Sequence, residues 1–260
     1  MVYVARLGTT PIKGFALQEP PSVFLTTDTG VAGDRVFFLM DATGKLMSAT
    51  RTDCFLQYWA VFDPASEVLA IGCGTETLIE DEVVAGGHVE AHFFADRHAS
   101  GRLVQGRWSA ILSEIAGQQV QLVRATGPLG GFDVHPVSLL AGASIRALTP
   151  YPHDHVLDNR RFRMTITVEG VPPFTEDTWL GQRLHVGGAV IRPTTPVVRC
   201  AAVQKDPDGG AQRDGNPLRR IKEVRGTATT AHGRGLHLGV YAEVEQSGSV
   251  RLGDPVRRAA

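Results

Sequence analysis

Arg199-Cys200 is the pair in this 260-residue chain whose residue types and position best suit chemistry. A thiolate is a nucleophile and a soft-metal ligand, and a neighbouring cation favours that charged form. Cys200 ends a β-type run, Thr195-Pro196-Val197-Val198, whose approach is stiffened by Pro193 and Pro196. Successive residues of a strand face opposite sides, so Arg199 need not reach the sulfur, and a lone cysteine also serves as a small buried hydrophobe. Upstream lies the basic cluster Asp158-Asn159-Arg160-Arg161-Phe162-Arg163. Taken as a strand from Arg161, it places Phe162, Met164, Ile166 and Val168 on one face and Arg161, Arg163, Thr165 and Thr167 on the other. A buried cationic face requires an anion; an exposed one is only a solvated surface. A loop rich in Asp, Gly, Pro and Arg follows Cys200. The stretch 157–220 therefore reads as an anion-binding pocket containing a thiol.

Other candidates are weaker. Cys54 and Cys73 have no cation beside them and read as structural; three widely spaced cysteines form neither a disulfide framework nor a metal knuckle. His153 and His155 flank Asp154 without a third ligand at a recognisable spacing. His135, close to Asp133, is an acid-base candidate or a loop hydrogen bonder. Glu176-Asp177 is a carboxylate pair or the turn that Trp179 anchors. No Gly-x-Ser-x-Gly elbow supports a serine nucleophile.

A hydrophobic fraction of 43%, a charged fraction of 20% and a net charge of −1 describe an ordinary globular chain with no electrostatic case for nucleic acid or an anionic membrane. No apolar run is long enough to span a bilayer, and the first residues lack the pattern of a signal peptide. A reducing cytoplasm is the expected location.

The elements that must position these residues are mostly strands. Twenty-nine glycines and 15 prolines punctuate short apolar runs at Val2–Leu7, Val23–Leu25, Val36–Asp41, Phe55–Asp63, Val68–Ile71, His88–Phe94 and Val120–Arg124. Lys45–Thr50 reads as the second arm of a hairpin after Ala42-Thr43-Gly44. Such repetition predicts a barrel or sandwich. One helix interrupts it: Trp108, Ile111, Leu112 and Ile115 recur at helical spacing, with Gly117 as the stop. Gly127-Pro128-Leu129-Gly130-Gly131 is the candidate junction between residues 1–126 and 127–260. Lys13 falls on a turn, because Pro11 bars a helix, and Arg35 follows the turn Gly33-Asp34.

The ordered set Pro11-Ile12-Lys13-Gly14, Gly33-Asp34-Arg35, Arg161-Phe162-Arg163, Pro173-Phe174-Thr175-Glu176-Asp177-Thr178-Trp179, Val198-Arg199-Cys200, Asp206-Pro207-Asp208-Gly209 and Gly253-Asp254 resembles the MOSC family, domains similar to the C-terminal part of molybdenum cofactor sulfurase. The resemblance implies a mainly β fold, a MOSC β-barrel at 127–260 with a few short helices. The N-terminal β-rich region at 1–126 would pack on it, as in amidoxime-reducing proteins. It also implies a site for molybdenum cofactor in the molybdopterin form. Lys13, Gly14, Arg35, Asp133, Arg161, Arg163 and Arg199 would bind that cofactor, and Cys200 would be the catalytic residue and molybdenum ligand. Pyridoxal phosphate, which belongs to a separate aminotransferase-like domain, is not expected. The implied activity is reduction of a small N-hydroxylated or similar substrate, with an electron-donor or sulfur-donor protein as partner. Sulfur transfer or carbon–sulfur chemistry through Cys200 without molybdenum, and a non-catalytic cofactor carrier, are the alternatives. Three positions depart from the usual family pattern: Gly14 where Ser is common, Met164-Thr165 where Pro-Asn is common, and Val197-Val198 before Arg-Cys where a hydroxyl residue is common.

Overall fold

Short runs of β-branched and aromatic residues make strands of nearly the whole chain. The computed structural model, which describes residues 1–95, 97–127, 130–149, 157–209, 216–230 and 233–259, arranges them in five sheets among the described residues. The largest has seven strands in the order Tyr3–Leu7, Ile166–Glu169, Val137–Ala141, His237–Gln246, Ala189–Val198, Leu184–Val186 and Val256–Arg258. Its two outer strands also meet. Val4 N donates to Asp254 O at 2.9 Å, Gly253 N to Val4 O at 2.8 Å, and Val256 N to Val2 O at 2.9 Å. The sheet is thus nearly closed into a barrel, which leaves little unpaired edge. Val4, Leu7, Leu139, Ile166, Val168, Ile191, Val240 and Ala242 fill its interior, all with no exposed surface. Pro193 and Pro196 lie in an interior strand, and the register against His237–Gln246 shifts at both. A proline has no N–H for the ladder, and an irregularity absorbs the missing bond.

The first half builds a second layer. Phe37–Asp41, Val120–Ala125, Arg97–Val104 and Ala85–Phe94 form a four-stranded sheet; Tyr58–Asp63, Val68–Cys73 and Glu76–Glu82 form a three-stranded one. Helix α1, Trp108–Ala116, buries Trp108 and Leu112 in the core beneath these sheets and stops at Gly117 in the left-handed region, as its periodicity predicts. Two sheets cross residue 126: Tyr3–Leu7 pairs with Ile166–Glu169, and Ser22–Thr26 pairs with Gly248–Arg251. Among the described residues, no helix is long and apolar enough to cross a membrane.

Three expected elements differ. Arg161–Val168 is not one strand. Asp158 caps Arg160 N at 2.8 Å, Asn159–Phe162 forms a 3-10 turn, Arg163 is left-handed (φ 52°), and the strand starts only at Ile166. Lys45–Thr50 is not a strand either. Lys45 and Leu46 make isolated bridges, and the chain then turns with Arg51 N donating to Ser48 O at 2.9 Å. The stretch after Cys200 is not wholly loop, because α3, Pro217–Arg225, lies within it; α2, Gly142–Ala147, precedes it in the chain. The His153-Asp154-His155 group lies outside the described residues.

Candidate functional site

A cleft of about 530 Å³ opens where the two layers meet, and Lys13, Gly14, Arg35, Asp133, Arg161, Arg163, Arg199 and Cys200 all line it. The cations reach it by different routes. Lys13 sits on the turn that follows the Ile12–Phe37 bridge, with its N–H on Phe37 O at 2.9 Å and its ammonium 2.9 Å from Asp133 Oδ1. Gly14 continues that turn with φ +94°, in the region where a side chain is strained. Asp34 is buried, accepts from Thr10 N at 2.7 Å, and holds the Arg35 guanidinium, whose Nη2 donates to Arg163 O at 3.2 Å. Arg163 donates to Phe15 O at 2.7 Å.

Arg161 and Arg199 play a different part. Arg161 is buried; its guanidinium donates to the carbonyls of Gln204 and Lys205 and lies 3.6 Å from Asp206 Oδ2. Arg199 donates to Leu238 O at 2.9 Å, to Phe162 O at 2.8 Å and to Met164 Sδ at 2.9 Å, with Phe162 beneath it. These arginines tie the chain on either side of the thiol to the barrel. Arg161 and Arg163 do not share one strand face as expected, because a 3-10 turn and a left-handed residue replace the strand there, yet both line the cleft.

Burial is the main electrostatic fact. It lowers the Lys13 pKa, against the opposing pull of Asp133, and together with Arg35 it pushes Arg163 down to about 9. Burial also pushes Arg199 down to about 10. Arg163 and Arg199 stay cationic at neutral pH, and the lowered values mark basic groups short of water. Burial opposes ionisation of Asp133, but Lys13, Arg35 and Arg97 outweigh it and hold the carboxyl below its ordinary range.

Cys200 is exposed, and its Sγ lies 3.2 Å from Thr50 Oγ1. The turn carrying Thr50 is anchored by Arg51 on Asp41 at 2.7 Å and by Lys205 on Asp53 at 3.2 Å. Sequence reasoning missed Thr50, Arg51, Phe93, Phe132 and Tyr241 on the cleft wall; nothing local marks them, since only chain crossing brings them near. His135 lines the cleft with Nδ1 3.9 Å from Glu243 Oε1. Glu176 and Asp177 do not line it. Glu176 accepts from Ser144 Oγ at 2.9 Å, and Asp177 pairs with Arg225 at 2.5 Å.

The MOSC domain profile matches residues 126–257. The chain belongs to the MOSC domain family. That domain carries Asp133, Arg161, Arg163, Arg199 and Cys200, while Lys13, Gly14, Arg35 and Thr50 come from residues that precede it. The chain is similar to mitochondrial amidoxime reducing component 2 of Bos taurus, 32% identical over 127 residues, 48% of this chain and 37% of that protein. It is similar to mitochondrial amidoxime-reducing component 1 of Homo sapiens, 27% identical over 142 residues, 54% of this chain and 41% of that protein. The MOSC chain thus aligns with about two fifths of the length of these relatives. Among solved structures it is similar to the YuaD protein from Bacillus subtilis, with a TM-score of 0.46 and 11% identity over 98% of this chain and 94% of that one.

Proposed function

We propose that this MOSC-family protein binds molybdenum cofactor in its molybdopterin form and reduces a small N-hydroxylated or similar substrate. The observation that carries the reading is the convergence of buried cations and an exposed thiol on one cleft. The names of the amidoxime-reducing relatives point the same way. The residues present fit the group. Lys13, Arg35 and Arg163 are largely buried basic side chains on the cleft wall suited to its phosphate, and a guanidinium fork matches phosphate oxygens. Cys200 presents a soft sulfur ligand suited to molybdenum.

When bound, the group would supply redox chemistry at the metal. The chain's own residues bind, orient and exclude water. Asp34 fixes the Arg35 guanidinium, and Arg199 and Arg161 hold the segments flanking Cys200. Val197, Val198, Ala202 and Val203 make the wall beside the thiol apolar, so ligands there lose competing water. Turnover requires an electron-donor partner. With its three cysteines free, the protein suits a reducing compartment such as the cytoplasm.

Val197-Val198 favours a second reading. With no hydroxyl group at either position to meet a pterin, Cys200 would carry a persulfide. Its terminal sulfur would pass to an acceptor thiolate and leave the Cys200 thiolate behind.

Protein purified from a cofactor-competent host tests both, by inductively coupled plasma metal analysis alongside intact mass. The first reading expects stoichiometric molybdenum in the parent chain and none in Cys200→Ser. Absence of molybdenum and pterin from the parent sinks it. A reductant-labile gain of one sulfur atom on Cys200, without metal, establishes the second.

A further inference from the structure

The cationic wall already contains one anion of its own. Asp133 Oδ1 lies 2.9 Å from Lys13 Nζ, and the carboxylate side chain is 46% exposed while the lysine side chain is 11% exposed. The carboxylate is therefore the more exposed partner of the pair, and both residues line the cleft. The backbone beneath it is pinned. Arg97 donates to Phe132 O through Nε at 3.2 Å and lies over the Phe93 ring, 4.6 Å from its centroid. A Cβ on Gly131 would come within 2.7 Å of Arg35 O, so this segment packs directly on the arginine backbone. Displacement of the carboxylate would therefore turn the Asp133 side chain and leave its backbone in place.

The cations that act on it are Lys13, Arg35, Arg97 and Arg163, and Asp34 acts on Arg163 as well. Asp34 is spent on Arg35, and its other oxygen accepts from Thr10 N. Asp133 is thus the one carboxylate of this group that a ligand can replace.

We propose that Asp133 is the internal counter-anion of the cleft: a ligand anion reaches Lys13 by displacing this carboxylate, and the carboxylate weakens binding more as the ligand's charge rises. This rests on the anion-binding reading of the cleft above. A carboxylate left in place repels a dianion about twice as strongly as a monoanion, since Coulomb energy scales with the product of charges.

Calorimetric titration with inorganic phosphate and with nitrate tests the assignment on the full chain. Asp133→Asn should bind phosphate about tenfold tighter than the parent, and nitrate should gain less, as expected for removal of one charge from a partly desolvated site. Asp133→Ala, which has no amide to engage Lys13, should show the same gain. Glu80→Gln removes an equal charge from an exposed position of the strand Glu76–Glu82, outside the cleft, and should leave phosphate affinity unchanged. Weaker or unchanged phosphate binding in both Asp133 variants overturns the proposal, as does an equal gain in Glu80→Gln or an equal gain for nitrate. If neither the parent nor the Asp133 variants bind phosphate, the anion site itself falls and takes the proposal with it. If the parent binds and the variants gain nothing, only the role of Asp133 falls.

Discussion

Glu176 has no exposed surface; Ser144 Oγ donates to one of its oxygens, and the other has no hydrogen-bond partner. Burial raises its pKa from 4.5 to about 6. The folded chain therefore holds this proton more tightly than the unfolded chain, so stability falls as pH rises between those values. The cost is fully present above pH 6 and amounts to roughly 2 kcal/mol at most. Glu176→Gln should raise the melting temperature at neutral pH and flatten its slope between pH 4.5 and 6, read from thermal melts across that range. Gly14 gives a second test. Its φ of +94° strains any side chain, so Gly14→Ser, which restores the residue common in relatives, should cost about 1 kcal/mol in denaturant unfolding. The Gly14 departure thus has a backbone consequence as well as a lost hydroxyl. The cationic character of Lys13, Arg35 and Arg163 was legible from residue type. Their common cleft was not, because Lys13 and Arg163 are 150 positions apart in the chain.

At the scale of elements, α1 was readable because its apolar residues repeat at helical spacing and a glycine ends it. α3 was not, although its signals were present: Asn216 caps Arg219 N at 3.0 Å, Pro217 opens the helix, and Gly226 follows Arg225. Five of its nine residues are charged, which masked the apolar spacing of Leu218, Ile221 and Val224. The helix depends on tertiary anchors. Arg225 pairs with Asp177 and its guanidinium lies 4.5 Å from the Phe174 ring centroid. Arg225→Met leaves Asp177 unpaired and should cost about 1–3 kcal/mol. Amide exchange in 217–225 should accelerate, whereas exchange in α1 should not change. In α1, Leu112→Ala opens a cavity in a filled core and should cost about 2–5 kcal/mol, measured by denaturant unfolding. The Arg161–Val168 expectation failed because a capping aspartate and one left-handed residue outweighed alternation over that short run.

The whole molecule is held together across the line where the family match begins. Residues 126–257 expressed alone would lack Tyr3–Leu7 beside Ile166–Glu169 and Ser22–Thr26 beside Gly248–Arg251. An unpaired barrel edge invites association. That fragment should elute as aggregate in size exclusion and lack a cooperative thermal transition, whereas the full chain should show one. What the sequence by itself determined was the strand-rich class, the α1 helix, the residue types of the cleft and the family to which they belong. These rest on local spacing and side-chain chemistry, which the chain carries at every position. Only the tertiary structure decided that Thr50 meets Cys200, that Asp133 pairs with Lys13, and that Arg199 is spent on carbonyls rather than on the thiol. Those outcomes depend on barrel closure and on strand crossings that bring distant segments together, and no local pattern encodes them.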